Sequence, residues 1–200
     1  MTISLVMDTS TSRTSVAIID EAAILWYGSR DGATAHGHAL PALVQQALSA
    51  QKSIDQVIVG MGPGPYTGLR VGIAFARSFA LARTIGVIGI CSLDAIAALV
   101  VEENDFIIAT DARRKEVYWA RYENSVRVGN PSIEFPLLLS ESTIPIFGEG
   151  AVKYGIGSNS EILFPDLGAM VRLSEDSRNW VDAPMYLRRP DAVPTNERPS

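Results

Sequence analysis

Eleven residues constrain this chain more than any other stretch: Gly62-Pro63-Gly64-Pro65-Tyr66-Thr67-Gly68-Leu69-Arg70-Val71-Gly72. They follow a short β-rich run, Val57-Ile58-Val59, and open an apolar segment at 67–83 that reads as a helix. A strand, a stiff Gly/Pro turn and a helix N-terminus make a common setting for anion binding, because free backbone N–H groups point outward there. Pro63 and Pro65 have no N–H to offer, and no Lys follows the glycines. The stretch therefore matches neither the Gly-x-x-x-x-Gly-Lys-Ser/Thr loop nor Gly-x-Gly-x-x-Gly. It has the outline of a phosphate cradle and only part of its chemistry.

The chain of 200 residues is long enough for one domain or two small lobes. With 47% hydrophobic and 20% charged residues it has the composition of a soluble globular protein. No apolar run approaches the roughly 18 residues of a membrane span. Residues 1–7 lack a basic region and lead into a strand pattern, so no signal peptide is expected. The single cysteine, Cys91, excludes a disulfide framework, and its apolar surroundings suit a small core residue better than a nucleophile. A cytoplasmic setting is expected. The net charge of −5, with cations gathered only at Arg113-Arg114-Lys115 and Arg188-Arg189, argues against tight nucleic-acid binding by this chain alone.

Along the chain, strands are expected at 3–7, 14–19 and 23–27, joined by short turns as a β-meander. A Gly-, Ala- and His-rich loop leads to a helix at 39–50, with Leu40, Leu43, Val44, Ala47 and Leu48 on one stripe. A strand at 56–60, the Gly/Pro turn, the 67–83 helix and a strand at 87–91 follow. Ser92 is placed to cap a helix running to about residue 101. The pattern then begins again, with a strand at 105–110 ending in Asp111 and another at 116–122. A hydrophobic strand that ends in Asp and is followed by a second strand thus occurs twice, at Asp8 and Asp111. This weak repeat predicts two related lobes, 1–102 and 103–200. The second half is poorer in periodicity. It shows a strand at 144–147, the turn Gly148-Glu149-Gly150, and an irregular Pro-rich tail from Arg188.

Asp8, with Thr9 beside it, and Asp111 sit at strand ends, where α/β folds gather ligand groups. A carboxylate from each lobe is the arrangement that holds Mg²⁺ and a nucleotide, whereas Asp at a strand end also simply caps a turn. His36 and His38 lie in a Gly-flanked loop with no third ligand nearby, which suits a helix start better than a metal site. There is no Gly-x-Ser-x-Gly nucleophile elbow. In the 67–83 helix, Val71, Ile73, Ala74, Phe75, Ala76, Phe79, Ala80, Leu81 and Ala82 place apolar groups around nearly the whole circumference. Such a helix needs cover on all sides. Either the 39–50 helix supplies it, or the two helices form an interface with another protein, which Gly72, Ala76 and Ala80 would let approach closely.

Met7-Asp8-Thr9-Ser10-Thr11, the 62–72 motif, Ser92-Leu93-Asp94-Ala95-Ile96, Asp111-Ala112-Arg113-Arg114-Lys115-Glu116-Val117-Tyr118 and Tyr186-Leu187-Arg188-Arg189-Pro190 together resemble the bacterial TsaB (YeaZ) family. The resemblance implies an α/β, two-lobed actin-like fold (sugar kinase/Hsp70/actin, ribonuclease H-like), here with a reduced second lobe. It implies a role in making N6-threonylcarbamoyladenosine at position 37 of tRNAs that read ANN codons. The catalytic partner would be the paralogue TsaD, with the ATPase TsaE, while TsaC supplies threonylcarbamoyl-adenylate; alone, the chain would form a homodimer. TsaD-like paralogues hold metal through a His-x-x-x-His pair, and the matching positions here are Ser92 and Ile96, so no metal site and no catalytic residue is expected. Partner contacts are expected from Leu40, Leu43, Val71, Phe75 and Phe79. The resemblance also implies that the assembly uses ATP, and assigns no cofactor to this chain. The competing reading is an active actin-like ATPase or small-molecule kinase with Asp8, Thr9 and Asp111 around Mg-ATP.

Overall fold

The structure, a computed structural model, describes residues 2–32, 34–157 and 161–188. Three apolar runs separated by turn residues form an antiparallel meander: β1 (Ile3–Asp8), β2 (Arg13–Asp20) and β3 (Ala23–Asp31). Helix α1 (His36–Ala50) then crosses to β4 (Gln56–Gly60), which pairs in parallel with β1. Helix α2 (Tyr66–Arg83) crosses to β5 (Gly86–Ile90), parallel to β4. The sheet order is β3-β2-β1-β4-β5.

After the short helix α3 (Ser92–Ala97) the chain repeats the scheme. Strands β6 (Asp105–Asp111), β7 (Val117–Glu123) and β8 (Val126–Glu134) form a second antiparallel meander. After α4 (Pro136–Ser140), β9 (Ile146–Phe147) lies parallel to β6. The order β8-β7-β6-β9 is that of the first four strands of the other sheet without its fifth. This is the α/β architecture expected from the sequence, built on two sheets of related strand order, the second one strand smaller. Helices α5 (Glu149–Tyr154) and α6 (Leu167–Ser174) follow.

Alternation along the strands sorts the first sheet's two faces. Leu5, Met7, Val16, Ile18, Val57 and Val59 face α1 and α2, meeting Leu40, Leu43 and Val44 of the one and Leu69, Ile73, Ala76 and Ala80 of the other. Each large aliphatic side chain buried there contributes about 1.5–3 kcal/mol. Val6, Ala17, Ile19 and Ile58 face the opposite way and are covered by Leu167, Met170 and Val171 of α6. Although α6 lies in the second half of the chain, it thus packs on the first sheet. Helix α3 is wedged toward the second sheet, where Leu93 and Ile96 meet Phe106, Ile108 and Tyr122.

Several sequence expectations change. Helix α3 ends at Ala97, four residues short of the expected limit. Ser92 does not cap it: the N-cap is Cys91, which makes no side-chain capping bond. Strand β8 and helices α4 to α6 go beyond the sequence expectation: β8 is interrupted by Gly129 and Pro131, and the helices, of five, six and eight residues, are too short to show a helical period. The tail beyond Arg188, including Arg189 and Pro190, lies outside the described residues.

Candidate functional site

Two regions bear on function: the strand ends between the lobes, and the outer face of α2. At the end of β1, Asp8 is 1% exposed. Its Oδ1 accepts hydrogen bonds from the Ser10 backbone N–H and hydroxyl, both at 2.8 Å, and its Oδ2 accepts from the Ser92 hydroxyl at 2.6 Å. Burial pushes the Asp8 carboxyl above its ordinary value, and the bonds from Ser92 and Ser10 oppose that shift. Ser92 Oγ also accepts from the Gly62 N–H at 3.3 Å, so one hydroxyl joins β1 to the Gly/Pro turn.

The glycines of that turn are needed for close contact rather than for an anion. A Cβ at Gly64 would come within 2.4 Å of the Ser10 carbonyl oxygen, and one at Gly72 within 2.3 Å of Thr9 Oγ1. The Thr9 hydroxyl donates to the Gly68 carbonyl at 2.8 Å and holds the first turn of α2 against the β1–β2 loop. The outline of a phosphate cradle is thus filled by the chain's own groups.

Asp111 occupies the corresponding place at the end of β6. It accepts from Lys153 Nζ at 2.6 Å, from the Tyr154 hydroxyl at 2.9 Å and from the Arg113 N–H at 3.1 Å. Burial alone would raise its carboxyl; the bonds from Lys153, Tyr154 and Arg113 outweigh burial and hold it below the usual carboxylate range. The structure therefore satisfies Asp8 and Asp111 separately, each within its own surroundings. Ser12 bonds across to the second half of the chain: its N–H donates to Glu149 Oε1 at 3.2 Å and its hydroxyl donates to Glu149 Oε2. Burial raises the Glu149 carboxyl, and the nearby Asp111 charge adds to the shift. A Mg²⁺ ion needs carboxylate oxygens that are open to it; the oxygens of Asp8 are bonded and buried, so these residues do not fit the ion. Among the described residues no three His, Cys, Asp or Glu side chains gather as a metal site.

His36 begins α1 with its Nδ1 2.8 Å from the Thr14 hydroxyl, and both side chains are buried. Burial lowers its pKa, while Asp8 opposes this. His38 is exposed two positions on. Cys91 is fully buried and accepts a hydrogen bond from Arg127 Nη1 at 2.9 Å. Burial, with the Asp94 charge nearby, pushes its thiol up to about 12. A thiol so placed stays protonated near neutrality and is no nucleophile.

The five expected partner contacts divide. Leu40 is 0% and Leu43 3% exposed, both pointing at the sheet, so neither offers surface to a partner. The 39–50 stripe was correctly apolar, but it is the core face. Val71, Phe75 and Phe79 are half-buried along the flank of α2, beside exposed Ala74, and the two phenyl rings stack with centroids 6.3 Å apart. Leu81 is 82% exposed. The guanidinium of Arg83 lies 4.8 Å from the Phe79 ring centroid, and that of Arg70 5.1 Å from Tyr66. The outer face of α2 is thus an apolar strip flanked by arginines. The notion of a helix apolar all round is half right: Leu69, Ile73, Ala76 and Ala80 are covered from within.

The β6–β7 hairpin carries a backbone conformation that no glycine or asparagine signals in the sequence. Arg113, Arg114 and Lys115, at the tip of the β6–β7 hairpin, have φ of 64°, 53° and 62°. The left-handed region costs a non-glycine residue about 1–2 kcal/mol. The turn is held by the Ala112 N–H to the Glu116 carbonyl at 2.9 Å and the Glu116 N–H to the Arg113 carbonyl at 3.0 Å.

A family model described as "TsaD: tRNA N6-adenosine threonylcarbamoyltransferase" matches residues 30–134. An uncharacterized protein of Mycobacterium leprae is 38% identical over 97% of this chain and 57% of that protein, so the chain spans little more than half of that relative's length. The tRNA threonylcarbamoyladenosine biosynthesis protein TsaB of Escherichia coli is 31% identical over 82% of this chain and 74% of its own. A solved structure, an uncharacterized protein with similarity to peptidase YeaZ from Pseudomonas aeruginosa, superimposes with a TM-score of 0.74 at 24% identity, covering 94% of this chain and 100% of the other. That last likeness bears on the fold alone.

Proposed function

Because the chain belongs to the TsaB family, we propose that it is a non-catalytic scaffold or activator subunit for threonylcarbamoylation of adenosine 37 in tRNAs that read ANN codons. It works by binding the catalytic paralogue TsaD, with TsaE docking on the assembly and TsaC supplying the activated intermediate. Residues 1–102 form the partner-binding lobe and 103–200 the smaller one; alone in the cytoplasm the chain pairs with itself through the same face.

The observation that carries this reading is the strip on α2. Val71, Phe75 and Phe79 lie half-buried along the flank of α2, packed at the edge of the core, with exposed Ala74 beside them. Apolar surface of this kind, rimmed by charged groups, is the usual ground for a partner. The bonding of Asp8 and Thr9 supports the non-catalytic part, since the groups an actin-like kinase would turn toward Mg-ATP are engaged internally.

The test is co-elution with TsaD of the same organism on a sizing column. Phe75→Glu, Phe79→Glu and the fully surface change Leu81→Glu are expected to abolish or weaken the complex while circular dichroism shows folded protein. Unchanged co-elution of all three would refute the assignment of this face.

A further inference from the structure

We propose that the cleft enclosed by the end of α3, the β7–β8 hairpin and the segment at 173–181 binds an uncharged, planar heteroaromatic ring of the nucleobase class. Its volume of about 680 Å³ lies within the range of small-molecule clefts. It lies at the far end of the second sheet from Asp111. Tyr122, which lines it, pairs with Phe106 near the start of β6, and Asp111 ends that strand about 17 Å further on. None of its lining residues belongs to α2, so the site is also separate from the apolar strip.

One wall is an aromatic platform. Trp180 is 47% exposed, yet both its ring and its backbone are held. The ring Nε1 donates to the Ser174 carbonyl at 2.8 Å, and the backbone bridges to Ile90 beside the bond from the Val181 N–H to the Gly89 carbonyl at 2.9 Å. A ring fixed in advance loses little freedom when another ring stacks on it. Exposed Val101 and Val126, with Val100 and Leu173, add apolar surface around it.

Against this apolar wall stand Asp94 and Arg127, 3.5 Å apart, with side chains 17% and 23% exposed. Asp94 Oδ1 accepts from the Tyr122 hydroxyl at 2.7 Å, and the Cys91 thiol also bonds the carboxylate. Arg127 is engaged through Nη1, which donates to Cys91 Sγ at 2.9 Å and faces Asp94. These bonds fix both groups without exhausting them. A carboxylate has about four acceptor sites, and a guanidinium carries three of its five N–H donors on Nε and Nη2. An acceptor and a planar set of donors thus sit side by side, the complement of a base edge that presents a donor beside an acceptor. Charge selects among ligands. Asp94 and Arg127 pair with each other, and Arg178, the other charged residue of the lining, is bound by Asp176. The cleft therefore offers no surplus cation to a phosphate, and a carboxylate ligand would meet Asp94. An uncharged ring avoids both penalties and uses both hydrogen-bonding groups.

The test is isothermal titration of the full chain with adenosine and guanosine up to millimolar concentration. At least one should bind with a dissociation constant on the order of 10⁻⁴ M, the affinity that a ligand of about 20 non-hydrogen atoms reaches at ordinary efficiency. Trp180→Leu removes the platform and should weaken binding about five- to a hundredfold. Arg127→Lys keeps the charge beside Asp94 but loses the planar fork, and should cost about tenfold. Circular dichroism checks that both variants are folded. Two further ligands probe the site in the wild-type chain, with no substitution to disturb the fold. Purine riboside, which has no donor on its edge, should bind about tenfold more weakly than the nucleoside that binds. AMP should bind no more tightly than adenosine, because no cation awaits its phosphate. Absence of binding by both nucleosides, unchanged affinity in folded Trp180→Leu or Arg127→Lys, or purine riboside binding as well as the parent would each overturn the proposal. So would a gain of about tenfold or more for AMP, which would mark a site that reads phosphate instead.

Discussion

The Ser92 hydroxyl donates to Asp8 Oδ2 at 2.6 Å across 84 positions of sequence, tying the end of β1 to the first residue of α3. With Ser10 on the other oxygen, the carboxylate is enclosed by donors of its own chain. Gly60 is what permits this approach, since a Cβ there would lie 1.9 Å from Asp8 Oδ2 and 2.7 Å from Ser92 Oγ. This strand-end Asp organises the joint between strand, turn and helix.

Breaking that joint should register as lost stability. Ser92→Ala leaves a buried carboxylate oxygen without its donor and is expected to cost about 1–3 kcal/mol. Gly60→Ala, which forces the strand and the carboxylate apart, should cost about 1–3 kcal/mol by overpacking. Urea denaturation midpoints check both, and unchanged midpoints would contradict the geometry.

Lys153 and Asp111 give a pH signature. The Asp111 carboxyl sits below its ordinary 3.8 in the folded chain, so its stabilising contribution is fully present above 3.8 and fades as the pH falls through the lower folded value. Lys153 is half-exposed, so solvent screening limits the pair; Lys153→Ala should cost about 1 kcal/mol at neutral pH. The gap between variant and wild type in thermal melts should close as the solution is acidified below that range.

Glu149 has the opposite sign. Its carboxyl is raised above the ordinary 4.5, so the folded chain holds that proton more tightly than the unfolded one and loses stability as the pH rises past 4.5. Glu149→Gln keeps an acceptor for the Ser12 N–H and removes a charge near Asp111. Its melting temperature at neutral pH should exceed wild type by about 1–4 °C, with the difference vanishing in acid.

The two N-terminal helices should answer differently to mutation. Leu40→Ala opens the core under α1 and is expected to cost about 2–5 kcal/mol. Phe79→Ser, on the flank of α2, should cost less in stability and more in association. Measuring both quantities on both variants distinguishes a core stripe from a docking strip, and equal effects would contradict the distinction.

Legibility in the sequence followed the strength of the local pattern. The expected strand at 56–60 is the observed one, and the 67–83 helix begins one residue earlier, at Tyr66, because apolar runs there are bounded by Gly and Pro. The repeat ending in Asp8 and Asp111 falls on the central strands β1 and β6 of two sheets that share the order of four strands. Periodicity, however, says which residues share a face and not what that face meets, which is why Leu40 and Leu43 read as well for a partner as for a core. The bond between Ser92 and Asp8 joins distant segments and leaves no local trace. The same holds for the left-handed turn at 113–115, where no glycine or asparagine signals the conformation.

The central claim is that this chain supports threonylcarbamoylation without performing chemistry at Asp8. It is met most directly by incorporation of labelled threonine into unmodified tRNA by TsaC, TsaD and TsaE of the same organism, with ATP and bicarbonate, comparing no chain, wild type and Asp8→Asn. Strict dependence on the chain, with activity preserved in Asp8→Asn, is the expected result. Full activity without the chain, or activity lost in an Asp8→Asn protein that is folded and still binds TsaD, would contradict it.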